Sequence, residues 1–265
     1  MSLVGWTLPL TPTGRSQLVP PPPWRYSGEI IGVDFRADPD RVAAYLPEGL
    51  EPVGDGSASF VFADWCSAAD VDPLVRDDPA RGQYKEAYLV LHARLGGRRA
   101  GRVPFIWVDS DLSLVRGLVQ GFPKKLGDIA MTRPVELGVG GYRKEPGARF
   151  TGHVTALGRR VVTARVELAE VRDGWYPPGI ATPLVHTRLW PAIDRDEPAV
   201  AELSRAKIEG FELGEVLVGP ATLEFGESEF DEIADLAPIE VGEGYVCSVA
   251  FGVVGGEVVE IEEEA

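Results

Sequence analysis

The chain has 265 residues, of which 45% are hydrophobic and 25% are charged, and this balance allows a sizeable core and excludes an intrinsically disordered chain. Asp and Glu outnumber Lys and Arg by 41 to 26, and the excess lies in the last quarter, since residues 202–265 hold 17 acidic and two basic side chains. The first 201 residues are balanced, which argues against a nucleic-acid-binding surface and against binding to anionic membranes.

The chain begins with a predicted proline-rich arm over residues 1–23, which ends in four consecutive prolines, Pro20 to Pro23. Consecutive prolines favour polyproline II and are excluded from central strands. We expect this arm to run over its own domain or a neighbouring subunit, or else to be a disordered leader. A single domain is predicted over residues 24–256, followed by an acidic C-terminal tail over residues 257–265.

A mainly β, antiparallel protein with a few short helices is predicted for the domain. Two-residue turns at Gly96-Gly97 and Leu157-Gly158 indicate hairpins. Helical spacing is confined to residues 41–46, 111–119 and 199–206, and Asp38 with Pro39 provides a start for the first helix. Runs of β-branched and aromatic residues between Gly and Pro breaks predict strands over residues 26–35, 59–65, 88–95, 102–108, 150–157, 160–171, 216–225 and 245–254.

Several common kinds of site are not predicted. The Gly-rich stretches do not lie between a strand and a helix, so neither a dinucleotide fingerprint nor a P-loop is expected. No Ser lies in a nucleophile elbow, and the three histidines are scattered singly, with His153 fitting a strand face. Cys66 and Cys247 are too distant for a metal finger or a redox pair, which favours a reducing compartment. Without a signal peptide or a membrane-spanning apolar stretch, we expect a cytoplasmic protein that uses no metal or cofactor.

A lysine doublet is the sharpest chemical feature, because Lys124 and Lys125 are two of only five lysines and follow Gly121-Phe122-Pro123. A protonated lysine is a poor nucleophile, and burial or a second nearby cation lowers its pKa and favours the neutral amine. Lys125 could be that second cation for Lys124. Taken alone, however, a Pro-Lys-Lys segment is more typical of a solvated turn.

Five segments share their order and spacing with the acetoacetate decarboxylase family, which the chain resembles from Trp24 to about Val254. The resemblance implies that Lys124 forms an imine with an oxo acid, that Lys125 contributes charge or positions Lys124, and that Glu86 is an acid, base or orienting group. A lysine activated by a neighbouring cation is a known property of that family. A single-domain antiparallel β-barrel or cone, assembled as a homo-oligomer, is also implied. The segments are Tyr84-Lys85-Glu86-Ala87, Val108-Asp109-Ser110-Asp111, Gly121-Phe122-Pro123-Lys124-Lys125-Leu126-Gly127, Gly219-Pro220-Ala221-Thr222-Leu223 and Asp235-Leu236-Ala237-Pro238.

The chain departs from the decarboxylases at three places. Where they carry an Arg that would hold the substrate carboxylate, Gly28 stands here, with Arg25 as the only nearby substitute. Where they carry a second Glu, Val61 stands here, with Asp64 three residues on. Their Gly-Arg-Glu before the lysine is replaced by Arg116-Gly117-Leu118.

These departures resemble branches of the superfamily that perform aldolase-dehydratase or related chemistry on pyruvate-like 2-oxo acids. Those branches place a Gln four residues before the lysine and rely on tyrosines. Gln120, Tyr84 and Tyr245 stand at such positions, and a Gln amide can hold a carboxylate while a Tyr hydroxyl can transfer a proton. Each of these residues could equally be structural, with Tyr245 as a core aromatic at the head of an apolar strand.

We therefore expect a cofactor-independent lyase that forms a Lys124 Schiff base with a small oxo acid and performs aldolase-dehydratase or related C–C chemistry. A genuine acetoacetate decarboxylase is the alternative within the family. From other classes, a non-catalytic barrel that binds a small ligand and an interaction protein that uses the acidic run Glu260 to Glu264 remain open. Since the substrate is an anion, the acidic residues of 202–265 should lie away from a pocket kept positive by Lys124, Lys125 and Arg25.

Overall fold

Fifteen strands form one sheet in the computed structural model, which describes residues 2–260. The strands are β1 (Trp24–Arg36), β2 (Glu51–Pro52), β3 (Ser57–Ala69), β4 (Gln83–Leu95), β5 (Arg98–Arg102), β6 (Ile106–Val108), β7 (Lys124–Leu126), β8 (Asp128–Met131), β9 (Arg149–Ala156), β10 (Arg159–Glu167), β11 (Glu170–Val171), β12 (His186–Trp190), β13 (Val200–Leu213), β14 (Leu217–Phe225) and β15 (Glu240–Val259). The helices are α1 (Pro39–Ala44), α2 (Leu74–Asp77), α3 (Pro79–Gly82), α4 (Asp111–Gln120) and α5 (Pro178–Ala181), with a 3-10 helix over Glu232–Leu236.

The sheet follows the order β7-β6-β4-β3-β1-β15-β14-β10-β9-β8, with the hairpin β12-β13 added along β15. All pairings of these strands are antiparallel except the one between β6 and β7. The two ends of the path, β7 and β8, are consecutive in the chain and are separated only by Gly127. The sheet therefore curls until its ends are joined by the chain itself, although no ladder closes it. The predicted mainly β architecture of barrel or cone type is confirmed.

Both faces of the central strands are buried. On β4, Leu89 and Leu91 contribute to a core enclosed by the curled sheet. Tyr84 and Tyr88 point to the opposite face and belong to a second core with residues of α4 and of the N-terminal arm. Because side chains alternate along a strand, Glu86 shares this second face. The segment that carries Lys124 packs against this second face.

Most of the predicted elements are present, with bounds a few residues longer. The hairpin turns at Gly96-Gly97 and Leu157-Gly158 join β4 to β5 and β9 to β10. Asp38 caps α1 by accepting hydrogen bonds from the backbone N–H groups of Asp40 and Arg41. The helix predicted over 111–119 is α4. Turn residues, helix caps and helical spacing act over a few neighbouring residues, so the local sequence is enough to predict these elements.

Three predictions about elements were wrong, and one of them is the strand over 160–171, which is divided between β10 and β11. Residues 199–206 are not a helix, because β13 pairs with both β12 and β15 and so gains two ladders of backbone hydrogen bonds. The strand predicted over 102–108 is split between β5 and β6, since Pro104 has no N–H to donate to a ladder.

The N-terminal arm lies on its own domain. Trp6 packs edge-to-face on Trp24 at 5.8 Å between ring centroids, Val19 is buried, and Trp24 Nε1 donates a hydrogen bond to the Pro20 carbonyl. At the other end, β15 runs to Val259, which pairs with Leu203. Residues 257–259 thus belong to the sheet and not to a tail, and most of the acidic run 260–264 lies outside the described residues.

Across residues 2–260, no helix has both the length and the apolar character needed to cross a membrane.

Candidate active site

Helix α4 and the turn that follows it deliver Lys124 to the second core. Ser110 caps the start of the helix, and Gly121 ends it in the left-handed conformation with a φ of 94°. A glycine adopts this conformation without steric cost, so the chain can reverse directly after the helix. Phe122 and Pro123 then lead into β7, which begins at Lys124 and pairs with β6.

One face of α4 supplies groups around Lys124. Ser113, Arg116, Gly117 and Gln120 recur at three- and four-residue spacing, which places them on one face of the helix. Ser113 and Arg116 are buried. A Cβ atom at Gly117 would overlap the side chain of Lys124. The missing side chain therefore lets the lysine lie directly against the helix.

The Lys124 amine is buried and held by two hydrogen bonds. Its Nζ donates to Glu86 Oε2 at 2.9 Å and to Ser113 Oγ at 2.9 Å. Only 7% of the side chain is exposed. The rings of Phe122 and Tyr84 lie 5.5 and 5.8 Å from Nζ. The amine is thus fixed in an aromatic surrounding beside a single carboxylate.

The pKa of Lys124 is lowered. Burial is the main cause, because it disfavours the charged amine; Glu86 opposes the shift, and the buried Arg116 adds to it. A lowered pKa raises the fraction of neutral, nucleophilic amine. The second cation expected beside Lys124 is therefore Arg116.

Glu86 is held on both of its carboxylate oxygens. Oε1 accepts a hydrogen bond from Trp65 Nε1 at 2.9 Å, while Oε2 accepts the one from Lys124. Glu86 lies on β4 between the neighbouring strand positions Ala63 and Val108. Three strands thus fix the carboxylate at the amine, which suits an acid–base or orienting role.

Arg116 is the residue that the sequence reasoning did not assign to the site. Its guanidinium is 2% exposed, lies over the rings of Trp24, Tyr26 and Tyr84 at 4.8 to 5.6 Å, and donates to Tyr84 Oη at 3.1 Å. Three aromatic faces stabilise a cation in a dry environment. The available signal was an Arg on the inward face of the predicted helix 111–119.

Lys125 is not brought to the Lys124 amine. Its Nζ donates to Asp231 Oδ1 at 2.7 Å and to the Phe230 carbonyl at 2.8 Å, and its side chain is half exposed. Lys124 and Lys125 are consecutive in a strand, so their side chains point to opposite faces. The expectation that Lys125 keeps the pocket positive is corrected by this geometry.

Arg25 is also on the wrong face. It lies between Trp24 and Tyr26, which both point into the second core, and it pairs with Asp70 and Glu209 on the exposed surface. Strand alternation again separates neighbours in sequence. Arg25 therefore does not replace the Arg that the decarboxylases carry.

Gln120 and Tyr84 are brought to the site in different ways. Gln120 lines the cavity beside Glu86, and its Nε2 donates to the Arg116 carbonyl at 3.1 Å. Tyr84 is buried and accepts the hydrogen bond from Arg116, while burial, followed by the charge of Glu86, raises the pKa of its hydroxyl well above the usual value. Tyr84 is thus a neutral support for Arg116.

Tyr245 is fully buried and is not among the residues that line the cavity. Its ring occupies the space left by Gly32, its hydroxyl lies beneath Gly179, and that hydroxyl has no hydrogen-bond partner among the described residues. The structure therefore does not bring Tyr245 to the amine.

A cavity of about 500 Å³ opens beside Glu86, the partner of Lys124, and Lys124 itself is not among the residues that line it. A larger and more open depression of about 880 Å³ lies on the opposite face of β1, β3 and β4, lined by groups such as Glu29 and Lys85. We assign the site to the smaller cavity, because a buried titratable pair beside a mostly apolar pocket marks a functional site. Its walls include Trp65, Glu86, Tyr88, Gln120, Phe122, Ile180, Leu184, His186, Arg205, Ile208, Phe211 and Phe251.

Within residues 2–260, none of the acidic side chains from 202 onward lines this cavity. The same part of the chain contains no group of three or more His, Cys, Asp or Glu side chains that could hold a metal ion. Glu86 is the one carboxylate in the cavity wall, and it is paired with Lys124. The expectation that the acidic residues of 202–265 lie away from the pocket thus holds for those up to residue 260.

Comparison with known proteins agrees with the geometry. Residues 7–262 match the family model of acetoacetate decarboxylase. An acetoacetate decarboxylase from Ralstonia nicotianae is 26% identical over 258 residues, which cover 96% of this chain and 94% of that protein.

Solved structures are more similar still. The enduracididine biosynthesis enzyme MppR, in complex with the condensation product of pyruvate and imidazole 4-carboxaldehyde, is 38% identical with a TM-score of 0.93, and the match covers 99% of each chain. An acetoacetate decarboxylase-like enzyme from Sphingomonas wittichii RW1 is 29% identical with a TM-score of 0.87, covering 97% of this chain and 100% of that one. Since the family model spans nearly the whole chain, the protein belongs to the acetoacetate decarboxylase family.

Proposed function

We propose that the protein is a cofactor-independent lyase in which Lys124 forms a Schiff base with a small 2-oxo acid and the resulting enamine condenses with an aldehyde. The observation that carries the proposal is the buried Lys124–Glu86 pair, 2.9 Å apart, whose carboxylate lies in the wall of a mostly apolar cavity. The lowered pKa of Lys124, caused chiefly by burial, favours attack by its neutral amine.

The first half of the reaction needs one amine and one carboxylate. The Lys124 amine adds to the keto carbon, and water leaves to give an iminium. The Glu86 carboxylate then takes a proton from the adjacent carbon, and the electrons of that C–H bond form the enamine. Glu86 is held by Trp65 for this role.

The second half forms a C–C bond. The enamine carbon attacks the carbonyl carbon of an aldehyde, and the aldehyde oxygen receives the proton held by Glu86. Loss of a second proton from the same carbon, with departure of the hydroxyl as water, gives the dehydrated product on the iminium. Hydrolysis then releases the product and restores the amine.

The position of Gly28 favours condensation over decarboxylation. A Cβ atom at Gly28 would overlap the ring of Trp65, so no larger residue fits where the decarboxylases carry an Arg. The same Trp65 donates to Glu86. Val61, at the position of their second Glu, is buried among apolar side chains. The Arg that would hold the carboxylate of acetoacetate and the second Glu of the decarboxylases are thus replaced together.

Size and polarity of the cavity support a second reactant of aromatic character. About 500 Å³ exceeds what pyruvate needs, and ligand sites typically span a few hundred to about 1,000 Å³. Beyond the amine the wall is largely apolar, with Phe122, Phe211 and Phe251 among its members. MppR, the 38% identical relative, is seen with a condensation product of pyruvate and an aromatic aldehyde.

Borohydride reduction in the presence of pyruvate tests the imine. We expect a stable adduct on Lys124, located by peptide mass mapping. Lys124→Arg keeps a cation beside Glu86 and should abolish the adduct, while Lys125→Arg, which keeps the contact with Asp231, should retain it. No adduct across a panel of 2- and 3-oxo acids would overturn the proposal and favour a non-catalytic binding protein.

Product analysis then separates the two reactions of the family. We expect condensation of pyruvate with benzaldehyde and little release of carbon dioxide from acetoacetate. The reverse result would assign the protein as a genuine acetoacetate decarboxylase, the name carried by its curated relatives.

A further inference from the structure

His186 lies in the wall of the cavity without a hydrogen-bond partner for its Nδ1 among the described residues. The side chain is 1% exposed. Buried polar atoms are nearly always paired, and an exception at a cavity indicates a partner that arrives with a ligand. The reaction steps given above make no use of this imidazole.

The fold holds the imidazole against the segment that carries the lysine. The His186 and Phe122 rings are 3.6 Å apart between centroids, at 36°. A Cβ atom at Gly121 would lie 3.0 Å from His186 Cβ, so the absence of a side chain there lets the two segments approach. The position of the ring is therefore fixed relative to Lys124.

The imidazole is neutral. Burial lowers its pKa well below the usual value, and the cations of Arg102 and Lys124 add to the effect. A neutral imidazole carries one N–H donor and one acceptor nitrogen. It can thus donate a hydrogen bond to an oxygen without placing another charge beside the lysine.

His186 shares the cavity wall with Glu86 and Gln120. The Phe122 ring lies 3.6 Å from the imidazole and 5.5 Å from Lys124 Nζ, measured to its centroid. An aldehyde bound in this cavity would contact the same wall that holds Glu86 and His186.

We propose that His186 donates a hydrogen bond to the carbonyl oxygen of the aldehyde and so orients and polarises it for attack by the enamine. This inference rests on the proposed function. As the C–C bond forms, the electrons of the C=O bond move to oxygen, where the His186 N–H stabilises the negative charge until the proton from Glu86 arrives. Donors aimed at a developing oxyanion typically contribute about 10²- to 10³-fold in rate.

His186→Phe tests the role, because phenylalanine keeps the stack on Phe122 and cannot donate. We expect the variant to retain the borohydride adduct of pyruvate on Lys124 and the exchange of pyruvate methyl protons in D₂O within about twofold, while condensation with benzaldehyde falls by about 10²-fold. His186→Gln, which keeps an N–H donor, should recover part of the loss. His153→Phe, on an outer strand position, should match the wild type.

The outcomes separate this inference from the proposed function. Wild-type condensation by His186→Phe would overturn the role of His186 alone, and a parallel loss of proton exchange and condensation would show that the residue only supports the fold. Absence of the adduct in the wild type would overturn the imine itself, and the role of His186 with it.

Discussion

At the scale of single residues, the pKa of Lys124 depends on burial and on two opposed charges. Glu86 raises the pKa of the amine and Arg116 lowers it, while burial provides the larger downward shift. Removing either charge should therefore move the pH dependence of imine formation, and the two changes should act in opposite directions.

Glu86→Gln removes the negative charge beside Lys124 and preserves the shape of the side chain. The pKa of Lys124 should fall further, so the acid limb of the trapping rate with pyruvate and cyanoborohydride should move to lower pH. Condensation should drop by about 10²- to 10⁴-fold, because the acid–base group is lost. An acid limb that moves to higher pH would contradict the assigned charge balance.

Arg116→Met is the matched opposite change. Loss of the guanidinium should raise the pKa of Lys124 and move the acid limb to higher pH. Methionine retains contact with the aromatic rings that surround Arg116. An unchanged profile would mean that the second cation has no influence on the amine.

At the scale of elements, α4 is arranged for the lysine at the expense of its own stability. Gly117 lies in the last half of the helix, where a glycine costs about 1 kcal/mol relative to alanine. The Lys124 side chain occupies the space that a Cβ atom would take.

Gly117→Ala should therefore separate stability from activity. The alanine displaces the Lys124 stem, so the trapping rate should fall at least tenfold, while the gain of about 1 kcal/mol in helix propensity opposes the cost of the displaced contacts in the free energy of unfolding measured in urea. Serine at this position should behave likewise. Full activity in the alanine variant would show that the close approach of helix and lysine is unimportant.

The alternation of strands explains both misplaced cations. Lys125 follows Lys124 in β7, and Arg25 lies between Trp24 and Tyr26 in β1. A residue one position away in a strand points to the other face. Residues that are neighbours in the sequence were therefore expected together, whereas the functional neighbours of Lys124 come from β4 and α4.

At the scale of the whole molecule, a buried polar cluster links β1, β3 and β4 behind the cavity wall. Ser59 Oγ donates to Asp34 Oδ1 at 2.6 Å and lies 2.9 Å from His92 Nε2. Burial raises the pKa of Asp34 to about 6 and lowers that of His92 to about 4. As pH rises between these values, the contribution of Asp34 to the free energy of unfolding falls, because its carboxyl ionises at lower pH in the unfolded chain than in the folded protein. The contribution of His92 rises, because its imidazole loses its proton at lower pH in the folded protein than in the unfolded chain.

Asp34→Asn tests the pH-dependent contribution of Asp34 to stability. The variant removes only the Asp34 contribution, so its free energy of unfolding should match the wild type near pH 4 and exceed it by about 1–3 kcal/mol at pH 7. Urea denaturation at several pH values measures the difference. A variant that is destabilised equally at all pH values would contradict the raised pKa.

Exposed apolar side chains at several surface sites favour a homo-oligomer. Leu8 on the arm, Leu137 and Val139 before β9, and Leu189 and Ile193 at the β12-β13 hairpin are all largely exposed. Where such side chains form one contiguous patch, the patch marks an interaction surface. We expect light scattering at micromolar concentration to give a multiple of 28.6 kDa. Ile193→Asp should lower that mass, and a monomeric wild type would contradict the expectation.

Local sequence determined a large part of this protein. Strand and hairpin signals, the helix before the doublet and the choice of Lys124 and the upstream Glu86 as site residues were all predicted, because each depends on a few consecutive residues or on a family pattern. Residues 199–206 were predicted as a helix and form a strand instead, because this strand is stabilised by backbone pairing with both β12 and β15.

The tertiary structure alone decided which groups share the dry space around Lys124. Arg116 from α4, Glu86 from β4 and His186 from β12 lie far apart in the chain and meet through packing of the helix and hairpin on the sheet. A pKa depends on burial and on distances between charges, and neither is set by spacing in the sequence. The sequence by itself thus determined the family and singled out Lys124 as the proposed nucleophile, while packing decided the burial and the neighbouring charges that set the pKa of its amine.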